Sequence, residues 1–331
     1  MQMDELIQAF PAQLKRAIEI GEKSKIGKPK FPIRNILISG LGGSGIGGTI
    51  LSNVLRDDIS VPIIVNKEYQ IPAFVNENTL VIISSYSGGT EETLSALMQA
   101  FQQNAQIICI TSGGLVQQYA ETNDIDYVLI DGGSPPRAAF GQSFVQLLYI
   151  LHKQNLLEDG FKQYLQSSIE LVETEEESIK EKAKKIAERL NGKTPVIYSD
   201  AKFEGVCIRF RQQINENSKM LCWHHVVPEM NHNELVGWRE KNENIAVIFL
   251  RNNNDFERNQ ERMEFTKEVV SQYAGDVIEI YSKGDHDIIR SIYLIHLTDW
   301  VSYYLAVLKG VDAVEINVIN KLKNKLAEHS Y

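Results

Sequence analysis

The sequence predicts an α/β protein of two similar halves, each a parallel sheet covered on both faces by helices. Three observations carry this. Short apolar runs alternate with helical patterns from Asn35 to Tyr281, the signature of strand–helix–strand units. Glycine-rich stretches follow two of those runs and precede helices. The length, 331 residues, corresponds to about two domains at ~150 residues each.

Each element has its own warrant. Leu6, Ile7, Phe10, Leu14 and Ile18 mark an amphipathic helix over 4–20, and a polar linker with Gly and Pro follows to Pro32. Strands are expected at 35–39, 61–65, 80–84, 106–111 and 127–130. Helices are expected at 46–55, 91–102, 115–121 and 138–153. The stretch 158–190 is helical and charged, and its acidic run Glu175–Glu177 reads as a solvated helix face. The alternation resumes with strands at 196–199, 245–250 and 277–281. Helices are expected at 203–215, 257–273, 287–309 and 314–327. This places the domain division near 155, giving 1–155 and 156–331.

Composition narrows the function. Hydrophobic residues make up 43% and charged residues 23%, ordinary values for a globular chain and unlike a disordered or collagen-like one. The formal net charge of −9 disfavours sequence-independent nucleic-acid binding, so any bound anion needs a local positive site. Three scattered cysteines build no disulfide framework and match a reducing cytosol. The N-terminus, with Asp4 and Glu5, lacks the pattern of a secretory signal. No run reaches the ~18 apolar residues of a membrane span. The expected location is the cytoplasm, with no membrane or nucleic-acid partner.

The first glycine stretch, Gly40-Leu41-Gly42-Gly43-Ser44-Gly45, follows a strand and opens a helix. Glycines let the backbone turn tightly there and approach a ligand. The same spacing matches a dinucleotide fingerprint, which leaves an NAD-dependent oxidoreductase as one alternative and a simple packing turn as another. Against the first, only Glu68, behind Asn66 and Lys67, stands near the expected acidic position. The second stretch, Ser84-Ser85-Tyr86-Ser87-Gly88-Gly89-Thr90-Glu91-Glu92-Thr93, gathers the hydroxyls of Ser85, Ser87 and Thr90 at another helix start. That is a cradle for a phosphate, or a capping cluster with Thr90 as its cap; both use the same free N–H groups. Together the two stretches resemble the sugar isomerase (SIS) domain. The resemblance implies phosphosugar binding and, in each half, a flavodoxin-like three-layer sandwich. Members more often carry Asn where Gly89 stands.

Two further segments extend the resemblance. One is Ser134-Pro135-Pro136-Arg137-Ala138-Ala139-Phe140-Gly141, with an Arg at a helix start. The other runs from Gln212 through Glu216 and Lys219 to the stretch Trp223–Glu234, which contains His232. A carboxylate and an imidazole are the groups needed to move a carbon-bound and an oxygen-bound proton. Taken alone, each of these residues also has a plain surface or helix-end reading. With Asp299–Ala306 and Gly310–Asp312, the set resembles the bifunctional phosphoglucose/phosphomannose isomerases over nearly the whole chain.

That resemblance implies a homodimer and an isomerisation between aldose and ketose hexose 6-phosphates, with no cofactor and no metal. It implies Glu216 as the base acting between C1 and C2 and Arg137 as the partner of the cis-enediolate charge. It implies His232, contributed by a neighbouring subunit, as the group assisting ring opening. Gly43, Ser44, Ser85, Ser87 and Thr90 would hold the substrate. Ser302 and Lys309, seven apart and so on one helix face, would line the site, with Thr298 as a competing candidate. Phosphate donors from the first half and base plus histidine from the second put the expected site between the halves. A non-catalytic sugar-phosphate-binding protein, or an isomerase of another phosphosugar, is the alternative. Cys207, Cys222, His224 and His225 lack zinc-ligand spacing, and 222–225 reads as a buried strand. His296 reads as an interior histidine, and Trp300, Tyr303 and Tyr304 as core or dimer packing.

Overall fold

The computed structural model describes residues 2–328. In the first half, α1 (Met3–Gln8) and α2 (Phe10–Lys23) precede β1 (Asn35–Ser39), α3 (Gly42–Val54), β2 (Ile63–Asn66), β3 (Thr79–Ser85), α4 (Glu91–Gln102), β4 (Gln106–Thr111), α5 (Gly114–Thr122), β5 (Asp126–Leu129) and α6 (Phe140–Lys153). In the second, α7 (Phe161–Leu190) leads to β6 (Thr194–Asp200), α8 (Glu204–Ser218), β7 (Trp223–Val227), β8 (Asn242–Arg251), α9 (Glu257–Val270), β9 (Ala274–Tyr281), α10 (Asp287–Lys309) and α11 (Asn317–Ala327). The strands form two wholly parallel sheets, ordered β2-β1-β3-β4-β5 and β7-β6-β8-β9.

The period-two alternation of buried strands sorts the apolar residues into layers. Ile36 and Ile38 of β1, Leu80 and Ile82 of β3, and Ile197, Ile248 and Ile278 of the second sheet all join one core, filled by α2, α3, α6, α7, α8 and α10. Leu37, Val81 and Ile83 point the other way, toward α4 and α5. Val196, Tyr198, Val247 and Phe249 point toward α9. The two sheets therefore share a central helical layer rather than owning separate inner ones.

Three expectations need correction. The helix expected over 4–20 is two helices, because Pro11 at the second position of α2 cannot continue α1 without clashing with the carbonyl four residues back. The helix expected from Ile46 starts at Gly42, so the glycine run is its first turn. The buried strand expected at 222–225 is β7, the edge of its sheet, with Trp223 exposed and His224 and His225 half-buried. Cys109, Cys207 and Cys222 are buried free thiols.

Candidate functional site

A parallel sheet ordered 2-1-3-4-5 has its topological switch between β1 and β3, where successive crossovers leave on opposite faces and open a crevice beyond the carboxyl ends. Both glycine loops open into it. They are laced together: Ser84 Oγ donates to the Ser44 carbonyl at 2.9 Å, and the Tyr86 N–H donates to Ser44 Oγ at 3.0 Å. The Ser134 N–H donates to the Tyr86 hydroxyl at 3.0 Å, which ties in the loop that carries Arg137. A Cβ on Gly45 would lie 2.0 Å from the Gly40 carbonyl oxygen, so the β1–α3 turn closes only with glycine there.

At the second loop, Thr90 occupies the N-cap position of α4, yet its side chain makes no capping bond. Its hydroxyl pairs with that of Ser85 at 3.3 Å instead. Ser87 is exposed and takes only a long bond, 3.4 Å, from the Gly89 N–H. The capping alternative is thus not the use these hydroxyls have. They ring the uncapped start of α4, where the helix dipole favours an anion.

Arg137 lies on a one-turn 3-10 helix, Pro136–Ala139. A Cβ on Gly43 would lie 2.7 Å from the Arg137 backbone nitrogen, so Gly43 sets α3 directly against it. The Arg137 side chain is only 3% exposed and crosses into the second half. Its Nε donates to Asn217 Oδ1 at 2.8 Å, and its Nη2 donates to the carbonyls of Ala313 (2.6 Å) and Val314 (3.3 Å). Nη1 remains, 3.3 Å from Glu216 Oε2. Burial pulls the guanidinium pKa below its ordinary value, and Glu216 works against that.

Glu216 sits in the last turn of α8, its side chain 26% exposed beside a buried cation. The turn ends at Lys219, which takes a left-handed conformation (φ 54°) and donates its ammonium to the carbonyls of Glu216 and Glu315. Burial, and then the like charge of Arg137, lower the Lys219 pKa. Lys309 reaches the Lys219 carbonyl at 3.4 Å from α10. Ser302 is fully buried: its hydroxyl accepts from Asn217 Nδ2 at 2.9 Å and donates to the Asp299 carbonyl at 2.7 Å. Thr298 is also buried and bonds its own helix at Ile295. His232 stands apart, exposed on the one-turn helix Glu229–His232 beyond β7; no side-chain hydrogen bond or ion pair among the described residues involves it.

The chain therefore brings Arg137 to Glu216, Gly43 against Arg137, and Lys309 to the Lys219 carbonyl, and leaves His232 apart from them. Sequence reasoning missed Asn217, Lys219, and the Arg209–Asp299 pair beneath them. Arg209 Nη2 bonds Asp299 Oδ2 at 2.6 Å and the Arg137 carbonyl at 3.1 Å, both in the core. The available signal was the density of polar residues, Arg209 to Ser218, on a helix that must be largely buried. A separate cavity of about 670 Å³ lies at the carboxyl edge of the second sheet. Several of its polar groups pair with one another, as in Lys202–Asp287 (2.7 Å) and Asn259–Asp200 (2.6 Å). No group of three or more His, Cys, Asp or Glu among the described residues could hold a metal ion.

Comparison with known proteins gives this geometry a lineage. Residues 32–130 match the SIS domain model, and residues 179–326 match the bacterial phospho-glucose isomerase C-terminal SIS domain model. The bifunctional phosphoglucose/phosphomannose isomerase of Caldicellulosiruptor bescii is 38% identical, covering 98% of this chain and 99% of its own. That of Aquifex aeolicus is 34% identical over 93% and 95%. A D-glucosamine-6-phosphate 4-epimerase of Sulfolobus acidocaldarius is 32% identical over 63% of this chain and 66% of its own. Among solved structures, the C-terminal domain of glucosamine-fructose-6-phosphate aminotransferase from Francisella tularensis superposes with a TM-score of 0.75 at 18% identity, covering 95% of this chain and 98% of that one. The chain belongs to the bifunctional phosphoglucose/phosphomannose isomerase family, and its two halves carry the SIS fold.

Proposed function

We propose that this chain interconverts glucose 6-phosphate and mannose 6-phosphate with fructose 6-phosphate by proton transfer through a cis-enediolate. The observation that carries the reading is Arg137 Nη1 at 3.3 Å from Glu216 Oε2, a buried cation beside a partly exposed carboxylate. A carboxylate beside a fixed cation can take the proton from C2 of the open-chain aldose. The C2–H electron pair moves into the C1–C2 double bond while the carbonyl oxygen becomes the enediolate oxygen beside Arg137. Returning the proton to C1, as the proton of the C2 hydroxyl passes to the oxygen on C1, gives the ketose with its carbonyl at C2. The intermediate has lost its C2 configuration, so one base serves both epimers where the site admits either configuration at C2.

Gly43, Ser44, Ser85, Ser87 and Thr90 hold the phosphate, remote from the reacting carbons, so its binding energy positions them. Lys309 lines the same crevice from α10. Ser302 acts from behind it. The isomerisation needs no cofactor or metal, and the chain divides near residue 155, between α6 and α7. His232 assists ring opening from a partner subunit of a homodimer: it is exposed and unengaged within its own chain. The exposed stripe Val318, Leu322 and Leu326 on α11 supports a second copy as its cover. Buried free cysteines fit the cytoplasm as the compartment. No helix among the described residues is long and apolar enough to cross a membrane.

The test is fructose 6-phosphate formation from each aldose phosphate, measured with EDTA present. Turnover of both, abolished by Glu216→Gln with hexose phosphate still raising the melting temperature, is the expected result. No turnover of either, with melting still raised, would assign the site to sugar-phosphate binding or to another phosphosugar.

A further inference from the structure

The arginine of the site is held by an amide whose orientation is itself dictated. Arg137 Nε needs an acceptor, and Asn217 Oδ1 supplies one at 2.8 Å. An asparagine can turn either end of its amide to a neighbour, and the wrong end would set an N–H against the guanidinium N–H. Ser302 decides the matter. Its hydroxyl hydrogen is committed to the Asp299 carbonyl at 2.7 Å, so its oxygen can only accept, and it accepts from Asn217 Nδ2 at 2.9 Å. The donors therefore run one way: Arg137 to Asn217, Asn217 to Ser302, Ser302 to Asp299. Asn217 and Ser302 are both fully buried, where an unmatched polar group is costly.

We propose that Asn217 is a positioning residue for the isomerisation, holding the plane of the Arg137 guanidinium so that Nη1 faces Glu216 and the enediolate, with Ser302 fixing the sense of the Asn217 amide. This rests on the proposed roles of Arg137 and Glu216. The relay sits beneath the guanidinium and leaves the phosphate loops untouched, so its loss falls on the reaction rather than on substrate binding. A 1 Å displacement of a reacting group can cost about a hundredfold in rate.

The experiment measures kcat and KM separately for Asn217→Ala, Ser302→Ala and Ser302→Thr, together with Asn217→Ala in the Arg137→Ala background. The expected result is a roughly 10- to 100-fold fall in kcat for Asn217→Ala, with KM changed less than about threefold. A smaller fall is expected for Ser302→Ala, with recovery in Ser302→Thr, which keeps the hydroxyl. In the Arg137→Ala background, Asn217→Ala should cost nothing more, because its effect passes through that side chain. If Asn217→Ala proves unstable, the Ser302→Ala and Ser302→Thr pair carries the test alone. Additive losses in the double variant, or equal kcat in Ser302→Ala and wild type, would overturn the positioning role. Full turnover in Arg137→Ala would overturn the reading beneath it, which is a distinguishable result.

Discussion

Arg137 and Glu216 come from different halves of the chain and meet with Nη1 at 3.3 Å from Oε2, while the rest of the guanidinium is spent on Asn217, Ala313 and Val314. One nitrogen is thus aimed, and the others do the aiming. Lysine offers the charge without the fork. Arg137→Lys should lower kcat by about 10²–10³, the cost of losing one well-placed donor to a developing oxyanion. Binding of hexose phosphate, read by thermal shift, should persist. An unchanged kcat would remove Arg137 from the reaction.

The Arg209–Asp299 pair is buried on both sides. Asp299 takes Arg209 on one oxygen and Gln213 Nε2, at 2.9 Å, on the other. Asp299→Ala strands the guanidinium, and breaking a buried pair in this way costs about 3–5 kcal/mol. The melting temperature should fall well below wild type. Lys185→Ala, which removes the exposed pair with Glu181, should leave it unmoved. Equal melting of all three proteins would contradict the burial of the Arg209–Asp299 pair.

Neighbouring glycines in the second loop make an internal control. Gly88 has φ +67°, and a Cβ there would lie 1.8 Å from the Gly113 carbonyl oxygen. Gly88→Ala should cost more than the ~1–2 kcal/mol of left-handed backbone alone and should weaken hexose phosphate binding. A Cβ on Gly89 meets nothing within 4 Å, so Gly89→Ala should be tolerated. Comparable melting and affinity for the two variants would show that the loop closes differently.

His224 provides a pH signature. Burial, and then the charges of Arg211, His225 and Lys67, push its pKa down to about 4. Arg211 Nη1 approaches His224 Nδ1 at 3.4 Å, a contact that suits a neutral ring. Unfolded, the ring would titrate near 6.5, so between about 6.5 and 4 the unfolded chain binds the extra proton. This contribution to stability is complete above pH ~6.5 and is lost as pH falls toward 4. His224→Gln should therefore flatten the acid side of the melting-temperature profile between pH 7 and 5. A parallel profile would show that the ring charges freely in the folded state.

The sequence made most of the architecture legible and only part of the site. Alternating apolar runs mark strands such as β3 and β8 because both their faces are buried. The glycine loops are visible because turns that tight admit few other residues. Glu216 and Arg137 stood out through the family pattern; taken alone, each reads equally as a helix-end or surface residue. Asn217 did not, since nothing local distinguishes a buried amide that orients an arginine from one that ends a helix; its meaning lies in Ser302, 85 positions away. The split of the first helix at Ala9 was legible in Pro11, but a continuous amphipathic pattern across it masked the break.

The core that joins Ile38 of the first sheet to Ile248 of the second is continuous. Interiors packed to crystal-like density transmit strain rather than absorb it, so a change made at one sheet is felt at the other. The helices wedged between the sheets set the spacing at which Arg137 and Glu216, from different halves, meet.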